Sequence, residues 1–518
     1  MHSVPGVSTS VLKKGLQAAK WSYLGVAVRI VTQLAAQIAL ARMLGPESFG
    51  LFALAAVIVG IGNLLADMGF GAALTQKEHL THEDIRLAFT WQVIVGLIVT
   101  GILIGTADLT GRLLGDDRVI DVVRAMSFLC LLQAISSVSH GLLKRELDFK
   151  TIQIAQIVSY IVGFLLVGVL LAYSGAGVWA LAAAWLTQSA VAFLLLYAKT
   201  RHAIKPLASG LGRRHIARFG GSVLMTNLAN WSIENLDNFL IGRLFGAQSL
   251  GLYSVAYNLV RAPTNHLVST LQPILFSASA RARNHGHGLR LGYAALLAGV
   301  CLVATPIFWG VAVVSDTVVR ALYGSAWSQA SGLLLPLALA MPVHAVMAVS
   351  GPLLWGKGRV MLEFRVQFWV AALLIAAVLL ASQISLTAAA WAVLLIYVIR
   401  SVWMISTVSR ELGLMFLDVW RSLRGGILLG ALTAAVVAAL DMGMTMAGIP
   451  PILRLLGDVF VGALALPLLF SALAKWALPS PEVRLVAGRA LKELPEFLRE
   501  WLQRRLGGAD TTGSGSRP

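Results

Sequence analysis

Charge is scarce in this chain, and negative charge is the scarcest. Asp and Glu number 24 and Lys and Arg 41 among 518 residues, so charged residues make up 13%, against roughly 25% in a soluble globular protein. A soluble assembly of this length would need a polar surface that these residues cannot supply. Cysteine is nearly missing too. Cys130 and Cys301 both lie in apolar runs, with no CxxC pair and no disulfide framework, so they do not report a redox compartment. Long hydrophilic connections are absent as well, the longest being about 20 residues, which leaves no room for a soluble catalytic domain. A cleavable signal is also lacking: Lys13, Lys14 and Lys20 precede a long first apolar segment that reads as retained.

What is present is hydrophobic length. Fourteen segments reach the roughly 20 apolar residues that a membrane-spanning helix needs. They are 17–41, 48–74, 87–107, 119–143, 151–173, 177–198, 218–243, 248–276, 289–314, 331–355, 360–382, 386–408, 424–446 and 452–478. Their length, and the lack of period-two alternation, predict helices rather than strands. The basic excess, a net charge of +17, then acquires a topological meaning. With the N-terminus inside, 30 cations fall at inner segments, 6 at outer loops (Arg42, Arg112, Arg118, Arg243, Arg320, Arg454) and 5 within spans (Arg29, Arg124, Arg261, Arg365, Arg400). That asymmetry is the positive-inside pattern, and a missed helix would invert every later loop. The expectation is an all-α integral membrane protein with both termini cytoplasmic, and nucleic acid is not an expected partner.

An internal repeat organises the spans. Arg42-Met-Leu-Gly45-Pro-Glu-Ser48-Phe-Gly50-Leu51-Phe-Ala-Leu-Ala55 matches Arg243-Leu-Phe-Gly246-Ala-Gln-Ser249-Leu-Gly251-Leu252-Tyr-Ser-Val-Ala256 at six of fourteen positions, at a constant offset of 201. The glycines suit a tight outer hairpin in which a Cβ would hinder the chain. Six spans separate the copies, so both enter the membrane in the same direction and define two parallel six-helix lobes, a transporter architecture that works by alternating access. The chain therefore divides into a cytoplasmic N-terminus (1–16), an N-lobe (17–198), a basic linker (199–217), a C-lobe (218–408), spans thirteen and fourteen (409–478), a basic amphipathic tail (479–506) and a disordered end (507–518).

The chain resembles the polysaccharide-transporter branch of the multidrug/oligosaccharidyl-lipid/polysaccharide exporter superfamily, the lipid-linked oligosaccharide flippases. The resemblance runs over roughly residues 12–480 and rests on Ala41-Arg-Met-Leu-Gly-Pro-Glu-Ser-Phe-Gly50, Asp67-Met-Gly-Phe-Gly-Ala-Ala-Leu-Thr-Gln76, Lys144-Arg-Glu-Leu-Asp-Phe149, Asn235-Leu-Asp-Asn-Phe-Leu-Ile-Gly-Arg243 and Gly251-Leu-Tyr-Ser-Val-Ala-Tyr257. It implies a fourteen-helix inner-membrane carrier, not an enzyme, that moves a polyprenyl-pyrophosphate-linked glycan outward for surface polysaccharide assembly. Its implied partners are that lipid-linked glycan, membrane lipids, H+ or Na+ as coupling ion, and polysaccharide-assembly proteins. No cofactor is expected.

Charges inside spans are the candidate site, since a central charge costs about 2.5–3.5 kcal/mol on insertion scales and usually faces a wet cavity or a partner. Arg29 lies at the centre of span one, with Gln33 and Gln37 on the same face. Arg261 lies at the centre of span eight, flanked by Asn258 and Asn265. One arginine per lobe suits a pyrophosphate, which needs permanent cations with several donors. The alternative is an arginine held by a carboxylate on a neighbouring helix. Span seven is the most polar, with Asn227, Asn230, Glu234 and Asn238 on one face. Glu234 leads as an ion-coupling group, with Asp237 and Asp67 beside it as candidates for coupling or for pairing the lobes; capping of a hairpin is a further role open to Asp67. Arg124, Arg365 and Arg400 lie towards span ends, where snorkelling suffices. Gly351-Pro-Leu-Leu-Trp-Gly356-Lys357-Gly358 mimics a phosphate-binding loop but lacks the Ser/Thr at its last position and follows an apolar span. Two rival functions remain: a cation-coupled drug exporter of the same superfamily, whose cavity should be dominated by carboxylates and aromatics, and a membrane glycan polymerase or ligase, which would need a larger outer loop.

Overall fold

The computed structural model describes residues 9–67, 74–75, 79–207, 231, 234–265, 268 and 286–477. Outside them lie residues 1–8, most of the basic linker, Asn227 and Asn230, parts of the expected spans seven and eight, and the segments read as an amphipathic tail and a disordered end. Among the described residues the fold is all-α, and eleven helices are long and apolar enough to cross a membrane. Large apolar side chains such as Leu97, Ile98, Ile102, Leu380 and Phe460 stay exposed, as a lipid-facing surface requires.

The chain divides into two compact units, residues 1–255 and 256–518. The first holds α1 (Thr9–Asp67), α2 (His82–Gly105), α3 (Ala107–Leu114), α4 (Arg118–Met126), α5 (Phe128–Arg145), α6 (Phe149–Tyr160), a π-helical stretch (Ile161–Gly168), α7 (Val169–Tyr173) and α8 (Val178–Thr200). Helical residues 234–265, here α9, run from the first unit into the second. α1 contains the first two expected spans, which meet at Gly45 with φ of +73°. Pro46 then restarts the helix at the position where its missing N–H costs nothing. Gly246, the repeat equivalent, has φ of +81°. Both turns need a conformation that glycine adopts without penalty.

The second glycine of each copy serves a different purpose. A Cβ on Gly50 would sit 1.6 Å from the Ala247 carbonyl oxygen, and one on Gly251 would sit 1.8 Å from that of Pro46. At the repeat offset of 201 each contact is the image of the other, so the two hairpins cross about a local two-fold axis. Beside this crossing, Asp237 is 2% exposed and accepts hydrogen bonds from the Tyr253 hydroxyl at 2.7 Å and the Asn238 amide at 2.8 Å. Tyr253→Phe leaves that buried carboxylate one donor short, at an expected cost of about 1–3 kcal/mol. Thermal unfolding of the purified protein in detergent checks this, and an unchanged midpoint would show that the hydroxyl contributes nothing.

The expected outer loop around 108–118 is mostly helical, built from the end of α3 and the start of α4. Arg118 pairs with Glu47 at 2.6 Å and Asp116 at 2.8 Å, and the guanidinium holds the Asp116 carboxyl below the usual carboxylate range. Arg124 pairs with Asp108 at 2.9 Å and Asp121 at 3.0 Å. These pairs are largely exposed, so each contributes at most about 1 kcal/mol. On the far side of the N-lobe, the start of the linker is strapped to α2. Arg86 donates to the Lys205 and Pro206 carbonyls, and Leu207 donates its amide to Thr90. His202 packs between Phe89 and Tyr197, and burial pushes its pKa down.

The second unit holds α10 (Gly286–Val313), α11 (Ser315–Tyr323), a 3-10 turn (Ser325–Ala330), α12 (Ser331–Ala348), α13 (Gly351–Gly356), α14 (Val360–Ser382), α15 (Leu386–Leu412), α16 (Phe416–Met446) and α17 (Pro451–Ala477). Small residues set the closest approach here. A Cβ at Gly426 would lie 2.6 Å from the Cys301 backbone, and one at Gly430 would lie 2.5 Å from the Thr305 side chain. This small-xxx-small pattern lets α16 sit directly on α10, where dispersion rather than water release drives association. The phosphate-loop lookalike is α13, a short helix, so its backbone amides form no cradle.

Candidate functional site

Polar stripes on apolar helices build a cavity that lies within the first unit. On α5, Gln133, Ser136, Ser137, His140 and Lys144 recur at helical spacing and face one way. On α8, Trp185, Gln188, Ser189 and Ala192 do the same, and α6 adds Gln156 and Ser159. With Asp67 at the end of α1, they enclose about 450 Å³, a volume typical of ligand sites. Asp67, Ser137 and Lys144 line the same cavity. Gln92 ties the Asp67 carbonyl at 2.8 Å and Ser137 at 2.9 Å to α2. Thr75 closes one edge by donating to the Gly141 carbonyl at 3.1 Å.

Arg29 reaches the wall of this cavity. Its Nη1 donates to Gln156 Oε1 at 2.6 Å, while its buried Nε has no partner. An amide, rather than a carboxylate, is therefore its hydrogen-bond acceptor among the described residues. Its positive charge stays available to an anion, and the lone Nε–H is a donor in waiting. Gln33 is half-buried one turn further along α1, and Gln37 donates to the Val255 carbonyl at 3.5 Å.

In the second unit, Arg261 lies over the Tyr257 ring at 5.2 Å, a cation–π geometry. The Tyr257 hydroxyl bonds the Tyr397 hydroxyl at 2.8 Å, and the Tyr397 ring meets the half-buried His344 edge-on at 5.4 Å. Arg400 is 9% exposed, and its charge, like that of Arg261, acts on His344. It is thus part of this interior network rather than a snorkelling residue. Asn258 and Asn265 are exposed on α9. Glu234 is exposed near the start of the same helix, and Asp237 belongs to the Tyr253 cluster described above.

Arg29, Gln33, Asp67, Glu234 and Asp237 accordingly fall in the first unit, and Arg261, Asn258 and Asn265 in the second. Of these, the 450 Å³ cavity brings together Asp67 and, through Gln156, Arg29. Its remaining lining was not singled out by the charge argument, because serine and glutamine cost little at a span surface. The signal that does mark it is periodicity: α5 carries polar residues at i, i+3, i+4 and i+7 inside an apolar segment, and Gln156 and Ser159 on α6 stand at i and i+3.

This hydrophilic interior fits what the chain is similar to. Residues 39–332, more than half of the chain, match the family described as polysaccharide biosynthesis protein. The chain belongs to that family. It is 26% identical over 385 residues to the lipopolysaccharide biosynthesis protein WzxC of Escherichia coli K12, covering 73% of this chain and 77% of the relative. Among solved structures it resembles the lipid II flippase MurJ in an inward closed conformation, with a TM-score of 0.71 at 12% identity over 90% of this chain and all of that one. It also resembles an inward-facing MATE multidrug transporter of the MOP superfamily, with a TM-score of 0.58 at 14% identity over 75% of this chain and 98% of that one. At such identities the two structural likenesses concern the fold. The eleven membrane-length helices and the family together make this a multi-pass protein of the inner membrane that serves polysaccharide biosynthesis.

Proposed function

We propose that this protein is a flippase that carries a polyprenyl-pyrophosphate-linked oligosaccharide across the inner membrane by alternating access between its two repeat lobes. The family match and the polar cavity of the first unit, whose lining residue Gln156 is bonded by Arg29, support the reading. The full topology we propose is fourteen spans with both termini cytoplasmic, spans thirteen and fourteen following the repeated lobes. Arg29 and Arg261 bind the pyrophosphate, Gln33, Asn258 and Asn265 add hydrogen bonds, and the hydroxyl and amide lining of the cavity accommodates sugar. Trp185 supplies the apolar face on which a pyranose ring stacks. Glu234 is the proposed coupling group for H+ or Na+, with Asp67 and Asp237 in supporting positions.

The observation that carries most weight is the chemistry of Arg29: a permanent cation inside a span, whose acceptor is a neutral amide at 2.6 Å. A guanidinium so placed is prepared for a phosphate, because anion binding does not first have to break an ion pair with any of the described residues. The test uses the other lobe, so that it probes the whole reading. Arg261→Ala is expected to lower surface polysaccharide at least tenfold and to accumulate the lipid-linked intermediate in the inner leaflet, at normal protein level. Normal export from that variant would remove Arg261 from the mechanism.

A further inference from the structure

The two helices that follow the repeated lobes hold an acidic pair that none of the functions above uses. Asp458, on α17, is 3% exposed, and among the described residues neither of its carboxylate oxygens, both closed to solvent, receives a hydrogen bond. Asp441, on α16, is within hydrogen-bonding reach of it. The Asp441 carboxyl is itself committed: it accepts from the buried Thr317 hydroxyl of α11 at 2.7 Å and faces Arg454 at 3.7 Å. Arg454, counted by the sequence among outer-loop cations, is instead buried at 7% exposure, and its Nη1 is turned to the Thr445 hydroxyl. An apolar cavity of about 360 Å³ lies against Asp458, walled by Pro306, Val311, Val318 and Leu455.

Charge bookkeeping decides what the site holds. Asp441 is 18% exposed and balanced by Arg454, so an ionised Asp458, sealed at 3% exposure, would leave one buried negative charge without compensation, which is prohibitive. Two carboxyl groups within hydrogen-bonding reach resolve this by sharing one proton, since only a protonated partner can donate to the other. The neighbouring elements add no further compensation. α11 brings Asp316 and Arg320, which pair with each other at 2.8 Å, and the part of α10 that lines the cavity brings only apolar residues. A metal cation would have to reach Asp458 oxygens that are closed off, while the Asp441 carboxyl already faces the Arg454 guanidinium.

We propose that Asp441 and Asp458 hold a single proton between them, which makes the α16–α17 hairpin a proton-binding site separate from the substrate residues. The proton leaves the cluster neutral and lets Asp458 stay sealed against the apolar cavity. Its release sets two adjacent carboxylates against one guanidinium, so deprotonation is tied to loosening of the hairpin from α11, to which Asp441 is bonded through Thr317.

Infrared spectroscopy of the full-length protein in detergent at neutral pH tests this. The difference spectrum between wild type and Asp458→Asn should contain a protonated-carboxyl C=O band that shifts in heavy water. Asp441→Asn should also abolish or displace that band, because the proton belongs to the pair, whereas bands from other buried carboxyls cancel in the difference. Asp458→Asn replaces a neutral acid by a neutral amide and should unfold at the wild-type temperature. If it fails to fold, the Asp441→Asn difference spectrum decides alone. Absence of the band from the difference spectra, or a band unchanged by both substitutions, overturns the proposal. So does a wild-type unfolding temperature that rises with sodium while that of Asp458→Asn does not, since the site would then take a metal ion.

Discussion

Gly50→Ala should lower the unfolding temperature of the purified protein by several degrees, the largest stability effect expected of a single added methyl group. The new Cβ would lie 1.6 Å from the Ala247 carbonyl oxygen and 2.4 Å from its carbon. Both obstacles are backbone atoms, so no rotamer change relieves the overlap and the two hairpins have to move apart. Overpacking a tight contact costs about 1–3 kcal/mol, occasionally more, and a clash with main chain belongs at the upper end. Gly251→Ala should behave alike, because its Cβ would meet Pro46 through the symmetric contact at 1.8 Å. Gly101→Ala serves as the control: inside a helix, its Cβ meets nothing within 4 Å, so the midpoint should stay at the wild-type value or rise slightly. Equal midpoints for Gly50→Ala and Gly101→Ala would mean that the hairpins do not cross at these glycines.

Arg29→Ala should reduce polysaccharide export about tenfold or more, corresponding to loss of a charge-assisted interaction of about 1.5–3 kcal/mol. The substitution removes the cation and releases Gln156, whose acceptor would otherwise point at Arg29 Nη1 from 2.6 Å. Arg29→Lys is expected to restore only part of the activity. An ammonium keeps the charge but cannot donate to Gln156 and a phosphate with the fixed fork of a guanidinium. Gln156→Ala should have a smaller effect, since it removes a positioning partner and leaves the charge in place. Surface polysaccharide measured together with the lipid-linked intermediate distinguishes these outcomes, provided membrane levels of each variant match wild type. Full export by Arg29→Ala would exclude this arginine from substrate handling.

Much of the architecture is legible before any coordinates. Span positions follow from apolar length, and α16 and α17 lie close to the expected 424–446 and 452–478. The repeat anticipates Gly45 and Gly246 as turn glycines, because the reason for glycine there is local: a positive φ. It also anticipates that Gly50 and Gly251 avoid a Cβ, but not which atoms would meet one. Breaks inside spans are harder to read. α4 and α5 divide at Ser127, and α6 runs into a π-helical stretch, both within segments that read as single spans in the sequence. Such irregularities arise from contacts with neighbouring helices, such as the Thr100 hydroxyl that donates to the Ser127 carbonyl at 3.1 Å, rather than from composition.

The candidate site divides along the same line. Arg29 and Arg261 stand out in sequence because a full charge in a span is expensive wherever it points. The cavity around Arg29 does not stand out, because Gln133, Ser137, Gln156 and Gln188 are inexpensive one by one and significant only as a converging set. Arg400 and Arg454 show the opposite failure: distance from the span centre suggests a solvated end, whereas both are buried by neighbouring helices. Sequence alone thus determined that this is a helical, multi-pass membrane protein with an internal repeat and arginines inside its spans, because hydrophobic length, cation asymmetry and turn glycines act locally along the chain. Tertiary structure alone decided that Arg29 bonds an amide beside a polar cavity and that Asp458 lies sealed against Asp441. Hydrogen bonding, desolvation and charge compensation depend on distances between helices that are remote in the chain.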